Sequence, residues 1–233
     1  MSQQALHFDI VGVIESPYKE KFATPRQPNL VQDAHARIKI QPAYNKLEAF
    51  YGLESFSHIW LMFLFSQTAD KGWKPLVRPP RLGGNNKLGV FATRSTFRPN
   101  PVGLSAVKLE SISQENNQIY INVSGIDLID NTPIIDIKPY ITYSDSIPNA
   151  TSSYAQDKQK GFDKVEIAPE IEAILEQDVH SLNFIKQTLI QDPRPAYKRN
   201  KPDEKVYGSE LGAYNVKWQV KENTCYIINL VKL

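Results

Sequence analysis

The chain has little cysteine and no long apolar segment. Its 233 residues include a single cysteine, Cys225, which excludes an internal disulfide framework and a metal site built from several thiolates. No apolar run approaches the roughly 18 residues that a membrane-spanning helix needs. Residues 1–16 lack a basic segment followed by an apolar block, so we expect no signal peptide and a cytoplasmic protein.

Several enzyme motifs are absent as well. The 4 histidines show no HExxH or similar spacing, so we expect no catalytic metal. There is no Walker A sequence and no GxGxxG after a predicted strand, and Gly83–Gly89 has the wrong spacing for either. The sequence contains no Gly-x-Ser-x-Gly motif and no recognisable cysteine–histidine pattern, so it does not indicate a covalent nucleophile.

Acidic residues are missing from one long segment, residues 71–108, although the whole chain carries 27 Lys+Arg against 25 Asp+Glu. The cations of this acid-free segment are Lys71, Lys74, Arg78, Arg81, Lys87, Arg94, Arg98 and Lys108. Positive charge concentrated in this way favours an anionic partner. The alternative is a solvated loop with scattered surface lysines.

Within that segment, Phe91–Ser105 combines two arginines with two prolines and a glycine. Pro99 and Pro101 fix the backbone φ angle and remove two hydrogen-bond donors, and Gly103 allows a turn or a close backbone approach. Arginine presents a planar set of donors that suits carboxylate or phosphate groups. We therefore predict a stiff loop that presents cations to a ligand.

Three more clusters carry similar chemistry: Thr24–Asn29, Gly125–Tyr140 and Asp192–Tyr197. The first and third place an arginine among prolines. The second places three carboxylates and a lysine around an Asp-Asn-Thr-Pro sequence. Plain turn chemistry explains that sequence equally well. If the acidic and basic loops lie together, they suit a ligand that carries both a cation and a carboxylate.

Short runs of branched and aromatic residues predict strands in the first part of the chain. They are Phe8–Ile14, Ala36–Ile40, His58–Phe65, Lys87–Thr93, Ser105–Ser111, Gln118–Ser124 and Ile134–Ile141. The polar residues 114–117 predict a hairpin turn, and Pro42–Leu53 predicts one short helix. His58–Phe65 is almost entirely apolar, which predicts a strand buried on both faces. Many strands with one helix favour an antiparallel barrel or sandwich.

The residue pattern changes from strand-like to helix-like after a polar stretch at about residues 144–164. We predict a domain over residues 1–145, a linker over 146–164 and a small α+β subdomain over 165–233. Apolar residues at helical spacing predict a helix over Pro169–Ile190. A basic loop, residues 194–205, follows, and then two predicted strands, Tyr214–Val220 and Cys225–Val231, joined by a turn at residues 221–223.

The segment Gly89–Ser105 resembles the signature of the TrmO family, also known as TsaA-like or YaeB-like proteins. Asp136–Tyr140, Asp192–Tyr197, and Ile10–Pro17 together with residues 25–27, are similar to further motifs of that family. The resemblance spans nearly the whole chain and keeps the order of the motifs. Asn131 stands where many members have glycine, and asparagine also tolerates a left-handed backbone.

Members of that family are S-adenosylmethionine-dependent tRNA (adenine-N6)-methyltransferases that act beside the anticodon. The resemblance implies a mainly β protein: a small antiparallel β-barrel without a Rossmann fold, with a small α+β C-terminal subdomain. It implies a homodimer that binds the tRNA anticodon stem-loop and needs no metal and no membrane. The expected substrate is N6-threonylcarbamoyladenosine at position 37 of threonine tRNA.

The resemblance also assigns residues by position. The expected cofactor-binding residues are Pro25, Arg26, Gln27, His58, Ile59, Arg94, Leu104, Asp127, Leu128, Ile129 and Asp130. Asp136 is the candidate to accept the N6 proton, with Asp127 or Asp130 as substitutes. The candidate contacts to RNA or to the base are Arg98, Asn100, Lys138, Arg194, Tyr197 and Lys198.

Two alternatives remain at this stage. One is a β-barrel that binds RNA or a nucleotide without catalysis. The other is an enzyme that uses the same cofactor on a small molecule.

Overall fold

The chain is mainly β in a computed structural model that describes residues 7–199 and 203–233. Its strands are β1 (Gly12–Glu15), β2 (Ala36–Ile40), β3 (His58–Leu64), β4 (Leu76–Val77), β5 (Leu88–Gly89), β6 (Val102–Glu115), β7 (Gln118–Ser124), β8 (Pro133–Pro139), β9 (Lys164–Ile167), β10 (Tyr207–Leu211), β11 (Tyr214–Lys221) and β12 (Thr224–Lys232). Its α-helices are α1 (Thr142–Asp145), α2 (Pro169–Leu175) and α3 (Val179–Leu189). The predicted fold class, mainly β with a small α+β C-terminal part, is confirmed.

Six strands close on themselves in the order β1-β2-β7-β6-β3-β8, and every neighbouring pair is antiparallel. The closing contact pairs Gly12 of β1 with Ile134 of β8. Alternate residues of each strand point inward, as the period of two requires. The interior is lined by branched side chains that are fully buried, among them Ile14, Ile38, Ile59, Leu61, Val107 and Ile121.

Strand β3 departs from its predicted burial. Ile59, Leu61 and Phe63 are buried, but His58, Trp60, Met62 and Leu64 are only half-buried. The expectation of a strand buried on both faces is therefore wrong, because the part of the chain that the structure describes covers the outward side chains of this strand only partly. These half-buried residues lie on the outer face of the six-stranded sheet.

The hairpin between β6 and β7 is confirmed. Glu115 pairs with Gln118, so the loop contains only Asn116 and Asn117. Both asparagines have positive φ angles, 48° and 65°, which a two-residue turn of the type favoured in hairpins requires. Strands β2 and β7 begin and end at the predicted residues.

Two local predictions before β6 are wrong. Pro42–Leu53 forms short 3₁₀ turns at Pro42–Tyr44, Leu47–Phe50 and Leu53–Ser55 instead of one helix. Lys46 is extended and Gly52 is left-handed, with φ 85°, so helical hydrogen bonding is interrupted twice. Lys87–Thr93 is a strand only at Leu88–Gly89, because the chain then turns into a 3₁₀ helix over Val90–Ala92.

The C-terminal part forms a second sheet in the order β10-β11-β12-β9, in which β9 runs parallel to β12. Sequence analysis missed β9 and β10. The predicted helix over Pro169–Ile190 is two helices, because Asp178 caps α3 by accepting a hydrogen bond of 3.0 Å from the Ser181 backbone N–H. Within the described ranges, no helix combines the length and the apolar character that crossing a membrane requires.

The two sheets are joined through the segment after β1. Tyr18 is 1% exposed and packs on Phe184 of α3, with 5.4 Å between ring centroids. The Gly212 backbone N–H donates to the Pro17 carbonyl at 2.9 Å. A continuous set of buried side chains runs from the barrel into the C-terminal sheet. The division at residues 145 and 164 stays a prediction, and residues 1–6 and 200–202 of the predicted segments lie outside the described residues.

Candidate functional site

Asn29 ties the loop of residues 24–29 to strand β6 and to the start of the acidic loop after β7. Its backbone N–H donates to the Gly125 carbonyl at 2.7 Å, and its side-chain amide donates to the Ala106 carbonyl at 3.0 Å. Gly125 has a φ angle of 74°, and a Cβ atom there would lie 2.5 Å from the Asn29 amide oxygen. A glycine is therefore required for this close approach, which joins the 24–29 loop to the acidic loop after β7.

Three of the predicted cofactor-binding residues meet beside this junction. The Arg94 guanidinium donates a hydrogen bond to the Gln27 amide oxygen. Arg94 is also close enough to Asp127 for its charge to act on that carboxyl group. The structure thus brings together residues from the 24–29 loop, the acid-free segment and the acidic loop.

Asp127 has an unusual environment. The buried Ser105 hydroxyl donates a hydrogen bond of 2.7 Å to its carboxylate. Burial raises the pKa of Asp127 to about 6, although Ser105 and the Arg94 charge oppose this shift. The carboxylate therefore changes charge just below neutral pH, which suits a group that pairs with a cation or accepts a proton.

The next residues of the acidic loop have structural partners. The Asp130 carboxylate accepts hydrogen bonds from the Ser16 backbone N–H at 2.8 Å and from the Lys19 ammonium at 2.9 Å. The Leu128 side chain is 2% exposed, and its carbonyl accepts from the Ser16 hydroxyl at 2.7 Å. Ile129 is half-buried, with its carbonyl bonded to Thr132 at 2.6 Å. These groups fix the shape of the loop, and a role for Leu128 in a ligand site would pass through its backbone.

Pro25 and Arg26 lie at the edge facing the C-terminal part. Pro25 is buried. The Arg26 guanidinium donates to the Gln159 amide oxygen at 3.3 Å, and partial desolvation together with the nearby Arg199 lowers the pKa of Arg26.

A second group of candidates lies on the outer face of the barrel. Met62 of β3 pairs with Leu104 of β6 on one side and with Asp136 of β8 on the other. Leu104 is 51% exposed, and the Asp136 carboxylate forms an ion pair of 2.8 Å with Lys138. Because Ser105 points inward and Leu104 outward, the Leu104 side chain lies on the opposite face of β6 from the Ser105–Asp127 pair.

His58 and Ile59 begin β3. His58 Nδ1 lies 2.9 Å from the Ser57 hydroxyl, and its ring lies 6.3 Å from that of Tyr140. The Ile59 side chain is fully buried inside the barrel. Ile59 can therefore reach a ligand only through its backbone.

The residues predicted to contact RNA lie in different environments. Arg98 donates to the carbonyls of Val90 at 3.2 Å and Thr93 at 2.7 Å, so it holds its own loop in shape. Asn100 is exposed, and Tyr197 is 65% exposed. Lys198 lies 3.3 Å from the Asp203 carboxylate.

The structure corrects the expectation that Arg194 contacts RNA. Its side chain is 2% exposed and donates to both carboxylate oxygens of Asp192, at 2.8 and 2.9 Å. Its guanidinium lies over the Phe162 ring, 4.9 Å from the centroid. A buried, bidentate arginine has no face for a phosphate, so the expectation that Arg194 contacts RNA is wrong in this structure, and the residue organises the loop that carries Tyr197.

Sequence reasoning gave no role to several residues that shape the site. Ser105, Asn29 and Lys19 hold Asp127, the 24–29 loop and Asp130 in place. Asn29 and Ser105 stood inside clusters that were singled out, but their partners are distant in sequence. Only the folded chain shows which carbonyl or carboxylate each one binds.

Comparison with protein families gives a match over most of the chain. The family model of the tRNA-methyltransferase O N-terminal domain matches residues 13–146, and that of the TrmO C-terminal domain matches residues 160–233. Among individual relatives, the tRNA (adenine(37)-N6)-methyltransferase of Escherichia coli is 46% identical over 222 residues, which cover 94% of either chain. A Pseudomonas aeruginosa protein, provisionally described as an S-adenosylmethionine-dependent methyltransferase, is 44% identical over 217 residues, 89% of this chain and 90% of its own.

Solved structures agree with these matches. The crystal structure of TrmO from Pseudomonas aeruginosa superposes with a TM-score of 0.80 and 32% identity, covering 100% of this chain and 99% of the other. A further crystal structure of TrmO gives a TM-score of 0.79 with 33% identity, over 98% of this chain and 100% of the other.

Proposed function

Because the chain belongs to the tRNA-methyltransferase O (TrmO) family, we propose that it transfers a methyl group from S-adenosylmethionine to N6 of adenine 37 in tRNA. The observation that carries this proposal is the meeting of Gln27, Arg94 and Asp127 at one place. These residues come from three distant segments, and all three are among those that the family resemblance assigns to the cofactor.

The chemistry of these residues fits S-adenosylmethionine. The ligand carries a carboxylate and two cationic groups, and the site offers one guanidinium, one carboxylate and one amide. We propose that Arg94 and Gln27 hold anionic and polar groups of the cofactor and that Asp127 holds a cationic one. When bound, S-adenosylmethionine supplies a methyl group that its sulfonium already activates.

For the base, we propose N6-threonylcarbamoyladenosine in threonine tRNA. Its threonyl carboxylate is an anion, and the acid-free segment and Lys138 supply cations near the candidate residues. Arg98 is proposed to act here by holding the stiff loop and presenting any remaining donors to that carboxylate. Since tRNA is the proposed substrate, the cytoplasm remains the expected compartment.

The protein's own acid–base contribution is proposed to come from Asp136. The N6 nitrogen must lose a proton during or after methylation, and a carboxylate within hydrogen-bond reach accepts it. Asp136 lies on the outer face of β8, and its carboxylate is held by an ion pair of 2.8 Å with Lys138. Asp127 is the alternative, since burial raises the pKa of its carboxyl group to about 6.

The proposed RNA surface combines exposed groups from both parts of the chain. Tyr197 offers an exposed ring on which an unstacked anticodon-loop base can stack. Lys198 and Asn100 add a cation and an amide for phosphate or base contacts. Arg194 contributes indirectly, through its ion pair with Asp192.

We further infer that the protein acts as a homodimer. Leu104 and Asp136 share the outer face with half-buried apolar residues, Trp60, Met62 and Leu64, whereas Gln27, Arg94 and Asp127 lie at the loops. In one chain these two groups of candidates are separated by the barrel wall. A second copy packed on the outer face would cover its apolar residues and supply the missing group.

The decisive experiment is methyl transfer to tRNA. The purified protein is incubated with S-adenosylmethionine labelled in its methyl group and with bulk tRNA from a strain that lacks its own enzyme of this kind. We expect label in tRNA and, after digestion to nucleosides, on N6 of threonylcarbamoyladenosine. The matched control is Arg94→Ala, which should transfer much less label while remaining folded.

Each other outcome has a defined meaning. Label on unmodified adenine 37, or in tRNAs other than those for threonine, would support methyl transfer to tRNA but contradict the proposed substrate. If folded protein binds tRNA and the cofactor but transfers no label to any tRNA, the chain is a binding protein and the proposed activity is wrong.

A further inference from the structure

Two histidines and an aspartate from opposite parts of the chain form a cluster that the proposed function does not use. Asp33 and His35 precede β2, and His180 lies in the first turn of α3. Each offers one potential ligand atom, and these atoms all lie within 4.8 Å of one another. We propose that Asp33, His35 and His180 bind a divalent transition-metal ion, of which Zn²⁺ is the reference case, and that this ion joins the barrel to α3.

The turn that carries Asp33 and His35 is firmly anchored. Val31 and Ala34 are fully buried, and the Ala34 backbone N–H donates to the Val31 carbonyl at 3.3 Å. The His35 N–H then donates to the Asp33 carbonyl at 3.0 Å. Two candidate ligands two residues apart are therefore presented from a fixed backbone, which lowers the entropy cost of ordering them around an ion.

Asp33 is already held by the helix that supplies His180. The Gln187 side-chain amide donates to one carboxylate oxygen of Asp33 at 2.6 Å, and its amide oxygen accepts from the Asp33 backbone N–H at 3.2 Å. This pair of hydrogen bonds orients the carboxylate and leaves its second oxygen for a ligand. Outer hydrogen bonds of this kind are typical of metal-binding carboxylates.

The two imidazole rings are in contact. The centroids of His35 and His180 lie 4.6 Å apart with an interplanar angle of 70°. Both side chains are exposed, so an ion can enter from solvent and water can complete its coordination.

The charges around the cluster are mixed. Glu110 and Lys108 form an ion pair of 3.0 Å with each other, so their charges largely offset, and Asp178 adds one carboxylate two residues before His180. Two imidazoles with one carboxylate select Zn²⁺, Ni²⁺ or Cu²⁺ over Mg²⁺ or Ca²⁺, which prefer oxygen ligands. Tetrahedral ligands of Zn²⁺ are about 3.3 Å apart, given bonds of about 2.0–2.1 Å. The ligand atoms, which lie within 4.8 Å of one another, would therefore close by up to about 1.5 Å, which rotations of the exposed His35 and His180 side chains achieve.

The spacing of the histidines explains why sequence analysis expected no metal. Asp33 and His35 alone match no known zinc motif, and His180, which completes the cluster, comes from a distant segment of the chain. The proposed ion would bridge the barrel and the C-terminal part. It would thus stabilise their contact, independently of the methyl transfer.

The test titrates ZnCl₂ into the full chain, freed of metal by chelator, and follows the heat of binding. We expect one Zn²⁺ per chain and a rise in Tm that increases with Zn²⁺ concentration. His35→Gln and His180→Gln should each weaken binding by at least about tenfold, and Gln187→Met by about tenfold, the range seen when outer hydrogen bonds are removed. His7→Gln is the matched control and should bind Zn²⁺ as the unaltered chain does.

A second measurement needs no variant. Zn²⁺ should protect His35 and His180, but not His7, from modification by diethyl pyrocarbonate, as read by mass spectrometry. The proposal is wrong if the chain shows no saturable Zn²⁺ binding, if the His35 and His180 variants bind as tightly as His7→Gln, or if protection is equal at all three histidines.

Discussion

The buried Ser105 hydroxyl on β6 donates a hydrogen bond of 2.7 Å to the Asp127 carboxylate in the loop after β7. This contact fixes the carboxylate in a largely desolvated position beside Arg94. Desolvation raises the pKa of Asp127 to about 6, so the group is half ionised near that pH. Burial of the ionised Asp127 carboxylate lowers the stability of the fold, and the same carboxylate is available to bind a cationic group.

The first prediction concerns stability against pH. The pKa of Asp127 is about 6 in the fold and 3.8 as its ordinary value, so the native state binds the extra proton between these pH values. Stability therefore falls as pH rises from about 4 to about 6 and stays lower above that range. Asp127→Asn removes this cost, and we expect it to raise the free energy of unfolding by about 1–2 kcal/mol at pH 7.5.

Urea denaturation at pH 4 and pH 7.5 checks this prediction. The gain from Asp127→Asn should be near zero at pH 4, and Asp157→Asn, an exposed aspartate, should show no gain at either pH. Cofactor affinity should also rise through pH 6 in the unaltered chain and stay flat in Asp127→Asn. A stability gain independent of pH would contradict the proposed ionisation.

Strand prediction succeeded where the period of two is strong. Ala36–Ile40 and Gln118–Ser124 have inward branched residues at every second position, and both strands have the predicted bounds. Tyr207–Leu211 was missed because one inward position is Ser209, a polar residue. Its hydroxyl is buried as the acceptor of a 3.1 Å hydrogen bond from Trp218 Nε1, a partner that no local pattern identifies.

Helix prediction failed where capping overrides periodicity. The apolar spacing of Pro169–Ile190 continues across the break at Asp178, but Ile174 and Val179 are 57% and 58% exposed. The side chain of Asp178 caps the second helix and sets a new helical face. Local hydrogen bonding, which the spacing of apolar residues does not report, therefore decides where each helix begins.

The candidate site shows a similar limit. Family resemblance named Gln27, Arg94 and Asp127, and the structure places them together. The sequence also named Arg194, which lies between two prolines in a motif similar to one of the family. Burial and the bidentate pair with Asp192 are tertiary properties, so an exposed arginine and a buried one look alike in sequence.

The second prediction concerns Arg94. Arg94→Ala should weaken cofactor binding by at least about tenfold, because a charge-assisted hydrogen bond contributes roughly 1.5–3 kcal/mol. Its side chain is exposed, so the free energy of unfolding should change little. Isothermal titration with S-adenosylmethionine measures the first effect. Arg78→Ala removes the same charge from another exposed position of the acid-free segment and should bind the cofactor normally.

The third prediction concerns Arg194. Arg194→Ala leaves the Asp192 carboxylate buried and without its bidentate partner, and the Asp192 side chain is only 4% exposed. We expect a loss of about 3–5 kcal/mol in the free energy of unfolding, measured by urea denaturation. Arg194→Lys should recover only part of it, because an ammonium cannot form the two parallel hydrogen bonds.

A separate variant, Tyr197→Ala, tests the neighbouring surface. Tyr197 is 65% exposed, so its removal should leave stability unchanged but weaken binding to an anticodon stem-loop by about tenfold or more, the effect of one lost stacking contact. Tyr197→Phe keeps the ring and should bind normally, and Tyr51→Ala, another exposed tyrosine, is the control. Equal RNA affinity for Tyr197→Ala and the unaltered chain would remove Tyr197 from the proposed RNA surface.

The last prediction separates the two candidate proton acceptors. Asp136→Asn keeps the shape of the side chain but cannot accept a proton, and general-base catalysis contributes roughly 10²–10⁴-fold in rate. If Asp136 accepts the proton, kcat should fall by about 10²-fold or more with saturating cofactor and tRNA, while the affinity for the cofactor stays unchanged.

Lys138→Met is the matched variant for that experiment. It removes the ion-pair partner 2.8 Å from Asp136 and leaves the carboxylate in place. Its kcat should then fall far less than that of Asp136→Asn, because the carboxylate that accepts the proton is still present. If Asp136→Asn turns over normally and Asp127→Asn does not, both with saturating cofactor, proton acceptance belongs to Asp127 beside Arg94, and Asp136 on the outer face is not needed for the reaction.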